Sequence, residues 1–321
     1  MTIAIFPKKE IEKHIKLTDE VIEKISLLGT PLEKITSDEL QIEIFPNRPD
    51  LISMHGFLRS FKAFIGKETG LKKYKVNKPE KHYKIKIDKS VENIRPCTAC
   101  AIVKNLSFDD EKIKELIDLQ EKLHITIGRN RKKVAIGIYP LEKITLPITY
   151  TSKKPAEIKF IPLEAKREMT ATEILEKHNA GKDYGHLLKN YKEFPIFVDA
   201  NNKIMSMPPI INSEETGKIT SETKDVFVEC SGHDFSILKK TLNIIVTTLA
   251  DMGGKIYELE LFYRSKKEIT PTLEPEKMKL SLETTNKLLG LNLKEKDLQK
   301  LLPKMGYDYR NKTVYVPSWR S

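Results

Sequence analysis

Residues 230–234 read Cys-Ser-Gly-His-Asp and contain, side by side, the three residue types of a serine-hydrolase triad. A triad needs its serine, histidine and acid to converge from separate elements, so that the imidazole takes the serine proton while the acid orients the ring. Neighbours in one short segment cannot converge in that way. We instead expect Asp234 to cap the helix that follows, because its carboxylate can accept hydrogen bonds from free backbone N–H groups.

Glu229 is a second candidate, because it interrupts the apolar strand VFVEC just before that segment. Side chains alternate along a strand, so Glu229 shares a face with Phe227 and Ser231. The carboxylate is either an edge-strand group in water or a recognition group inside a pocket. Carboxylates are seldom fully buried, and the pattern taken alone favours the exposed position.

The segment 204–213, IMSMPPIINS, places two consecutive prolines between apolar residues. Proline has no backbone N–H and cannot continue a central strand, so Pro208 and Pro209 must end the strand before them. The preceding run, FPIFVDANNKIMSM, predicts a hairpin with a two-residue turn at Asn201 and Asn202, because asparagine tolerates a positive φ. The proline corner is therefore expected at the end of a hairpin strand.

A glycine-led loop, GRNRKK at 128–133, places four cations just before the strand VAIGIY. The loop is either a solvated turn or a patch that contacts nucleic-acid phosphates, and the residue types alone do not separate the two. Its cationic members are Arg129, Arg131, Lys132 and Lys133.

Cysteine and histidine patterns argue against a metal centre. Cys97 and Cys100 have the CxxC spacing, but no second pair completes a four-ligand zinc site, and the β-branched residues after them predict a strand. The seven histidines are scattered, and His124 is interpreted as a packing residue at the end of a helix. No HExxH, P-loop or GxGxxG motif occurs. We therefore expect no metal ligand set and no resident cofactor in this chain.

The composition is that of a basic globular protein. The chain has 321 residues, with 56 Lys plus Arg against 45 Asp plus Glu and a formal net charge of +11. This balance favours an anionic partner such as nucleic acid, although lysine-rich surfaces are also typical of thermophilic proteins. No apolar run is long enough for a membrane span or a signal peptide, so we expect a cytoplasmic protein with no membrane partner.

The order of strand and helix patterns predicts an α+β multidomain protein. We place a small α/β N-terminal domain at 1–80, a larger mixed-sheet α/β domain at 90–265, and an incomplete third unit at 266–321. Helices are predicted at 109–125, 172–180 and 234–252 of the larger domain.

Two features of the N-terminal part lead to specific expectations. Helical periodicity runs through 11–28, and Asp50 is expected to cap a helix that stops near Gly66. The lysine-rich stretch after Gly66 is expected to be a linker that leads into an edge strand at its KIKI run.

Three long motifs join these observations. They are PNRPDLISMHGFLRSFKAFIG, QEKLHITIGRNRKKVAIGIY and IMSMPPIINSEETGKITSETKDVFVECSGHDF. In order and spacing they resemble the β subunit of archaeal and eukaryotic cytosolic phenylalanyl-tRNA synthetase. The resemblance covers essentially the whole chain.

The resemblance implies a function for each part. Residues 90–265 correspond to the tRNA-editing domain, which hydrolyses tyrosine wrongly esterified to tRNA(Phe), and 266–321 to the start of a winged-helix-like domain. A non-catalytic tRNA-docking portion with an inactive pocket is the alternative. The whole α2β2 enzyme uses ATP and Mg²⁺ to attach phenylalanine to tRNA(Phe). The module that packs on the α subunit is absent here, so this fragment is expected to be monomeric.

The resemblance also assigns site residues. Glu229 falls at the family's acidic position and is expected to recognise the tyrosyl phenol or amine, with Ser231 beside it and Phe197 as an apolar wall. Relatives often carry Asp and Thr where Glu229 and Ser231 stand. Ser206 and Asn212 are expected to face this group, with the backbone after Pro208 and Pro209 offering N–H groups to the ester carbonyl or to the attacking water. The basic loop is expected to contact the tRNA acceptor stem.

Overall fold

The computed structural model describes residues 2–320. Ten α-helices lie within that range: α1 (Lys8–Glu12), α2 (Asp19–Leu27), α3 (Met54–Phe64), α4 (Asp110–Ile125), α5 (Ala171–Lys177), α6 (Asn179–Tyr184), α7 (Glu214–Gly217), α8 (Phe235–Asp251), α9 (Leu282–Leu289) and α10 (Glu295–Lys304).

The strands of the same range are short. They are β1 (Thr2–Pro7), β2 (Leu32–Ile35), β3 (Glu39–Ile44), β4 (Val76–Asn77), β5 (Lys84–Ile87), β6 (Cys97–Lys104), β7 (Val134–Pro140), β8 (Ile148–Lys153), β9 (Lys159–Phe160), β10 (Met169–Thr170), β11 (Phe194–Val198), β12 (Ile204–Met207), β13 (Ile211–Asn212), β14 (Val226–Gly232), β15 (Lys255–Tyr257), β16 (Leu259–Phe262), β17 (Lys267–Thr270), β18 (Glu276–Lys279), β19 (Asp308–Arg310) and β20 (Thr313–Val316).

The chain divides into two compact units. The discontinuous unit combines Met1–Tyr74 with Leu273–Ser321, and the inserted unit is Lys75–Thr272. The α+β fold class is confirmed, whereas the domain boundaries at 80, 90, 265 and 266 stay a prediction. The contacts place most of the predicted third segment in one unit with the N-terminal segment.

The discontinuous unit contains two small antiparallel sheets, ordered β1-β3-β2 and β18-β20-β19. The single predicted helix over 11–28 is wrong: α1 and α2 are separate, and Thr18 caps α2 by accepting from the Val21 N–H. Asp50 is not a helix cap either. Ser53 caps α3, and the Asp50 carboxylate instead binds the Arg48 guanidinium.

The inserted unit is built on two larger sheets. One has five strands, ordered β4-β15-β6-β14-β7, and the other has seven, ordered β13-β12-β11-β8-β5-β16-β17. The KIKI run is β5, which pairs with β8 and β16 and is therefore an interior strand rather than the predicted edge. An alternating pattern shows that one face is exposed, but it does not show how many neighbours a strand has.

A shared apolar core joins the facing sides of these two sheets. It combines Cys100, Ile102, Tyr139 and Phe227 of the five-stranded sheet with Tyr150, Phe197, Met205 and Leu259 of the seven-stranded sheet. Helix α8 contacts β6 and β14 of the five-stranded sheet. Its N-cap is Asp234, which accepts from the Ser236 and Ile237 N–H groups, so the prediction for Asp234 is confirmed.

Candidate active site

Glu229 lies in the middle of the interior strand β14, opposite Cys100 of β6 and Gly137 of β7. Its side chain is only 2% exposed. The exposed position favoured by the pattern alone is therefore wrong, and the carboxyl lies in the interior. A buried carboxyl needs polar partners, because an unsatisfied one is strongly disfavoured.

Tyr139 of β7 supplies one such partner and was not singled out from the sequence. Its hydroxyl lies 3.4 Å from Oε1 of Glu229 and 3.3 Å from Oδ1 of Asn212, donating to both oxygens. A hydroxyl has a single proton, so it either shares that proton between the two contacts or receives a proton from a neutral Glu229. These three side chains form a polar chain, which we call the carboxyl–phenol–amide cluster.

The two predicted catalytic residues, Ser206 and Asn212, lie directly opposite each other on β12 and β13. Ser206 is buried, whereas Asn212 is half-buried. Cross-strand partners face the same side of a sheet, so the structure brings these residues together as expected. Asn212 is the most exposed member of the carboxyl–phenol–amide cluster and marks the side from which solvent reaches it.

Phe197 forms the apolar wall beside this pair. It lies opposite Ser206 in the sheet. Its ring stacks on that of Tyr150, with centroids 4.3 Å apart and planes 14° from parallel. The wall is fully buried and rigid, because both rings belong to the core between the two sheets.

Ser231 accepts hydrogen bonds from a buried cation, Arg95, which was not singled out from the sequence. The Arg95 guanidinium donates to the Ser231 hydroxyl at 3.3 Å and to its carbonyl oxygen at 2.6 Å. The Tyr150 hydroxyl donates to the Arg95 carbonyl at 2.8 Å. Arg95 precedes β6 without a recognisable motif, so nothing in the local sequence marks it as an interior residue.

Burial, the largest influence, raises the pKa of the Glu229 carboxyl to about 8. Arg95 and hydrogen bonds from Tyr139 and Ser231 act in the opposite direction but do not outweigh burial. At neutral pH the carboxyl is therefore mostly protonated and can donate a hydrogen bond as well as accept one.

Two glycines allow the polar groups to approach so closely. A Cβ on Gly137 would collide with the Tyr139 ring and hydroxyl and with Oε1 of Glu229. A Cβ on Gly217 would meet the side chain of Asn212 at 2.7 Å. Both positions need to lack a side chain for the cluster to form as it does.

The proline corner joins β12 to β13, and both Pro208 and Pro209 are buried. The expectation that the backbone after it offers free N–H groups is wrong at two positions. The Ile210 N–H donates to Met207 and the Ser213 N–H donates to Met205, each at 2.8 Å. These two groups are already bonded within the hairpin and are not free to bind the ester carbonyl.

The hairpin before the corner differs from the predicted two-residue turn. Strands β11 and β12 are joined by five residues, 199–203, and Asn202 has the positive φ of 63° that asparagine tolerates. The Asp199 carboxylate organises the loop by accepting from the Asn201 and Lys203 N–H groups at 2.9 Å.

The basic loop is only partly free to bind a partner. Arg129 and Lys132 are exposed and Lys133 is half-buried. Arg131 instead donates to the Ile210 carbonyl at 2.8 Å, pairs with Glu121 and stacks on the Tyr184 ring at 4.2 Å.

Three consecutive residues of this loop, 129–131, have φ between 47° and 63°. Non-glycine residues in that region are strained, so contacts of the loop must hold them there. The Arg131 bonds tie the loop to the proline corner and are one such restraint.

The remaining candidates have structural roles. His124 is buried, accepts from the Ile136 N–H through Nε2 at 2.8 Å and lies 3.2 Å from Glu121 through Nδ1, which confirms it as a packing residue. Cys97 begins strand β6 and Cys100 lies buried within it, as the strand prediction required. Across residues 2–320, no group of three or more His, Cys, Asp or Glu side chains could hold a metal ion. Within the same range, no helix is long and apolar enough to cross a membrane.

Comparison with known proteins agrees with this architecture. The family model described as B3/4 domain matches residues 81–251. The phenylalanine–tRNA ligase β subunit of Archaeoglobus fulgidus is 39% identical over 289 residues, which is 90% of this chain and 52% of that protein. The β subunit of Pyrococcus furiosus is 44% identical over 262 residues, 82% of this chain and 47% of that protein.

A solved structure extends the similarity to the fold. A crystal structure of an N-terminal fragment of the phenylalanyl-tRNA synthetase β-subunit from Pyrococcus horikoshii matches with a TM-score of 0.94 and 36% identity. The match covers all of this chain and 95% of that one. The chain spans about half the length of the curated relatives it matches. It therefore belongs to the phenylalanine–tRNA ligase β-subunit family, as an N-terminal part that includes the B3/4 domain.

Proposed function

We propose that the inserted unit hydrolyses the ester bond of wrongly aminoacylated tRNA, with tyrosine on tRNA(Phe) as its substrate. Family membership supports this proposal, since the matched B3/4 region is the editing domain of these ligases. Editing is needed because a synthetic site shaped for phenylalanine cannot fully reject an isostere that adds only a hydroxyl.

The observation that carries the proposal is the carboxyl–phenol–amide cluster. Glu229 and Asn212 both bind a phenolic hydroxyl, that of Tyr139, in the protein interior. The Glu229 carboxyl would bind a tyrosyl hydroxyl in the same way, and Asn212, on the other side of the Tyr139 hydroxyl, would be left to bind the ester. Phenylalanine would leave such groups desolvated and unpaired, which is how a polar site discriminates by about 10⁴ between substrates.

The substrate would enter past Asn212, the half-buried member of the cluster, with Phe197 against its ring. Water attacks the ester carbonyl, the bond from that carbon to the tRNA ribose oxygen breaks, and the departing ribose oxygen takes up the proton that the attacking water loses. The Asn212 amide would stabilise the carbonyl oxygen as negative charge develops on it. No protein nucleophile is required, and Ser206 would help to orient the water.

The tRNA would be held by the exposed part of the basic loop, Arg129, Lys132 and Lys133, through its phosphates. Arg131 would act indirectly, because its bonds to Ile210 and Glu121 set the loop against the proline corner. Charge reversal of Arg129 and Lys132 together should lower the salt dependence of tRNA binding, with about one unit of slope lost per phosphate contact.

The complete ligase would attach phenylalanine to tRNA(Phe) as an α2β2 assembly with ATP and Mg²⁺. The family name of the relatives supports this wider proposal. ATP and Mg²⁺ would be bound by parts of the ligase outside this chain.

The experiment is to measure the release of tyrosine and phenylalanine from the corresponding aminoacyl-tRNAs by this chain. We expect release of tyrosine only. Asn212→Ala should slow it about 100-fold, as the loss of one oxyanion donor does elsewhere. Glu229→Gln should reduce the preference for tyrosine, and Asn190→Ala, at an exposed asparagine of the same unit, should change nothing.

The second candidate is a tRNA-docking portion whose pocket is inactive. Burial favours it, because Ser206, Glu229 and Ser231 are each at most 2% exposed and Ser231 already binds Arg95. The docking function would be supported if the chain bound tRNA but released no tyrosine. Amide exchange would have to show that the inserted unit is folded in the same sample.

A further inference from the structure

Arg95 joins the strand that carries Glu229 to the basic loop. Its side chain is only 3% exposed. Besides its two hydrogen bonds to Ser231, the guanidinium donates to the Arg131 carbonyl at 3.3 Å and to the Lys132 carbonyl at 3.4 Å. Ser231 follows Glu229 on β14, whereas 131 and 132 belong to the loop before β7. One buried side chain therefore bridges the candidate site and the loop proposed to hold the tRNA.

The backbone of Arg95 reaches a third part of the site. Its carbonyl oxygen accepts from the Tyr150 hydroxyl at 2.8 Å, and the Tyr150 ring stacks on Phe197, the apolar wall. The Arg95 N–H donates to the Val91 carbonyl at 2.9 Å, which fixes the main chain from which the side chain extends. A guanidinium is planar and its donors point in fixed directions, so this bridge holds its partners at a set separation.

The basic loop is a segment that needs to be held. Residues 129–131 are all in the left-handed region, where non-glycine residues are strained and persist only through their surroundings. Arg95 bonds to the carbonyl of the last of these residues and to that of the next. Arg131 makes a second tie from its own side chain, to the Ile210 carbonyl of the proline corner. The loop is thus fastened both to β14 and to the proline corner.

Fold stability alone does not account for a cation in this place. Burial disfavours the charged form and lowers the pKa of Arg95. The acceptors of its hydrogen bonds are neutral hydroxyl and carbonyl oxygens. Buried ionic groups can often be replaced by well-packed apolar residues without loss of stability. An apolar residue could not supply the directed bonds that fix the loop relative to β14.

We infer that Arg95 is a positioning residue, which sets the separation between the phosphate-binding loop and the ester-binding site. The inference rests on the proposed function. A tRNA held by Arg129 and Lys132 would present its terminal ester at Asn212, and an error of about 1 Å in such a placement can cost about 100-fold in rate. Arg95 acts on the reaction through the loop and does not itself bind the ester.

The experiment compares two substrates, tyrosyl-tRNA(Phe) and the small ester tyrosyl-adenosine, in single-turnover deacylation by the 321-residue chain. The small ester has no acceptor-stem phosphates, so only the tRNA substrate depends on where the loop lies. Arg95→Lys keeps the charge but lacks the planar fork that reaches β14 and the loop together. We expect it to slow release from tRNA about tenfold more than release from tyrosyl-adenosine. The half-saturating tRNA concentration should stay within about twofold of the parent value, because the exposed loop cations remain.

Two results would overturn the inference. Equal slowing of the two esters would do so, because a distorted pocket or a damaged fold acts on both. A higher half-saturating tRNA concentration with an unchanged maximal rate would also do so, since Arg95 would then serve binding alone. Arg167→Lys makes the same exchange at an exposed arginine of the inserted unit and should leave both rates unchanged.

Amide exchange keeps this inference separate from the proposed function. Arg95→Lys should speed the exchange of loop amides such as the Lys133 N–H, which bonds to the Gly128 carbonyl. The amides of α5, elsewhere in the inserted unit, should exchange as in the parent. A parent chain that hydrolyses neither ester would overturn the proposed function, whereas unchanged exchange of the loop amides would overturn the role of Arg95.

Discussion

Each of the two units buries ionisable side chains, but the charge of these side chains is compensated in different ways. In the inserted unit one carboxyl, Glu229, lies near one cation, Arg95, and burial raises its pKa to about 8. In the discontinuous unit the buried carboxylate of Asp50 binds the Arg48 guanidinium, and its pKa stays below its ordinary value. Burial acts to raise the Asp50 pKa, but Arg48 outweighs it. A buried acid can be neutralised by a proton, whereas a buried arginine must find partners.

The largest expected effect comes from removing the carboxylate of Asp50. Asp50→Asn should destabilise the discontinuous unit by about 3–5 kcal/mol, because the largely buried Arg48 loses the charge that it pairs with. Urea unfolding followed by Trp319 emission measures this. Glu20→Gln breaks an exposed pair with Lys24 and should have no detectable effect. An Asp50→Asn chain as stable as the parent would show that Arg48 needs no carboxylate beyond its bond to the Ser60 hydroxyl.

The next effect tests the raised pKa of Glu229. The folded state binds this proton more tightly than the unfolded chain, whose glutamates titrate near 4.5. The contribution of this proton to the free energy of unfolding is therefore fully present below pH 4.5. It is lost as the pH rises through about 8. Between these values we expect the stability to fall by about 1.4 kcal/mol per pH unit. Amide exchange of β14 measures it as a function of pH.

Glu229→Gln is the control for that pH dependence, because glutamine resembles the protonated acid and does not titrate. His124 contributes in the opposite sense, since burial lowers its pKa. The quantity to compare is therefore the difference between the parent chain and Glu229→Gln at each pH. A difference that does not vary between pH 5.5 and 7.5 would mean that Glu229 is ionised throughout that range.

The smallest effect concerns the phenol between the carboxyl and the amide. Tyr139→Phe should cost about 1 kcal/mol by removing the donor shared by the buried Glu229 and the half-buried Asn212. It should also move the pH-dependent loss of stability to higher pH, because the Tyr139 hydrogen bond lowers the pKa of Glu229. The same exchange measurement reports both changes. A shift to lower pH would show that the hydroxyl does not bind the carboxylate form.

Local features such as a helix cap were predicted from the sequence, whereas several residues that contact the site residues were not. Asp234 caps α8 as expected, because capping depends on three or four adjacent residues. Asp50 lies four residues before α3, within the short turn Pro49–Leu51, so Ser53 stands at the capping position and the Asp50 carboxylate binds Arg48 instead. The cap was assigned to the wrong residue because the start of the helix was placed too early.

The site shows a second limit of prediction from the sequence. The resemblance led to Ser206, Asn212, Glu229 and Phe197, which the structure places on adjoining strands of two facing sheets. Their roles stay predictions. Tyr139 was missed because it closes an apolar run, VAIGIYP, in which a tyrosine is indistinguishable from a packing residue. Arg95 was missed because its partners are distant in sequence.

The discontinuous unit also determines when different parts of the protein can fold during synthesis. The backbone N–H groups of Gly70 and Leu71 bond to Pro303 and Asp308, which the ribosome adds more than two hundred residues later. The inserted unit can fold as soon as it emerges, because residues 75–272 form a compact unit of their own. The first 74 residues must wait for the residues from 273 onward that complete their unit. Nascent chains that stall before residue 273 should therefore depend on chaperones for this end alone.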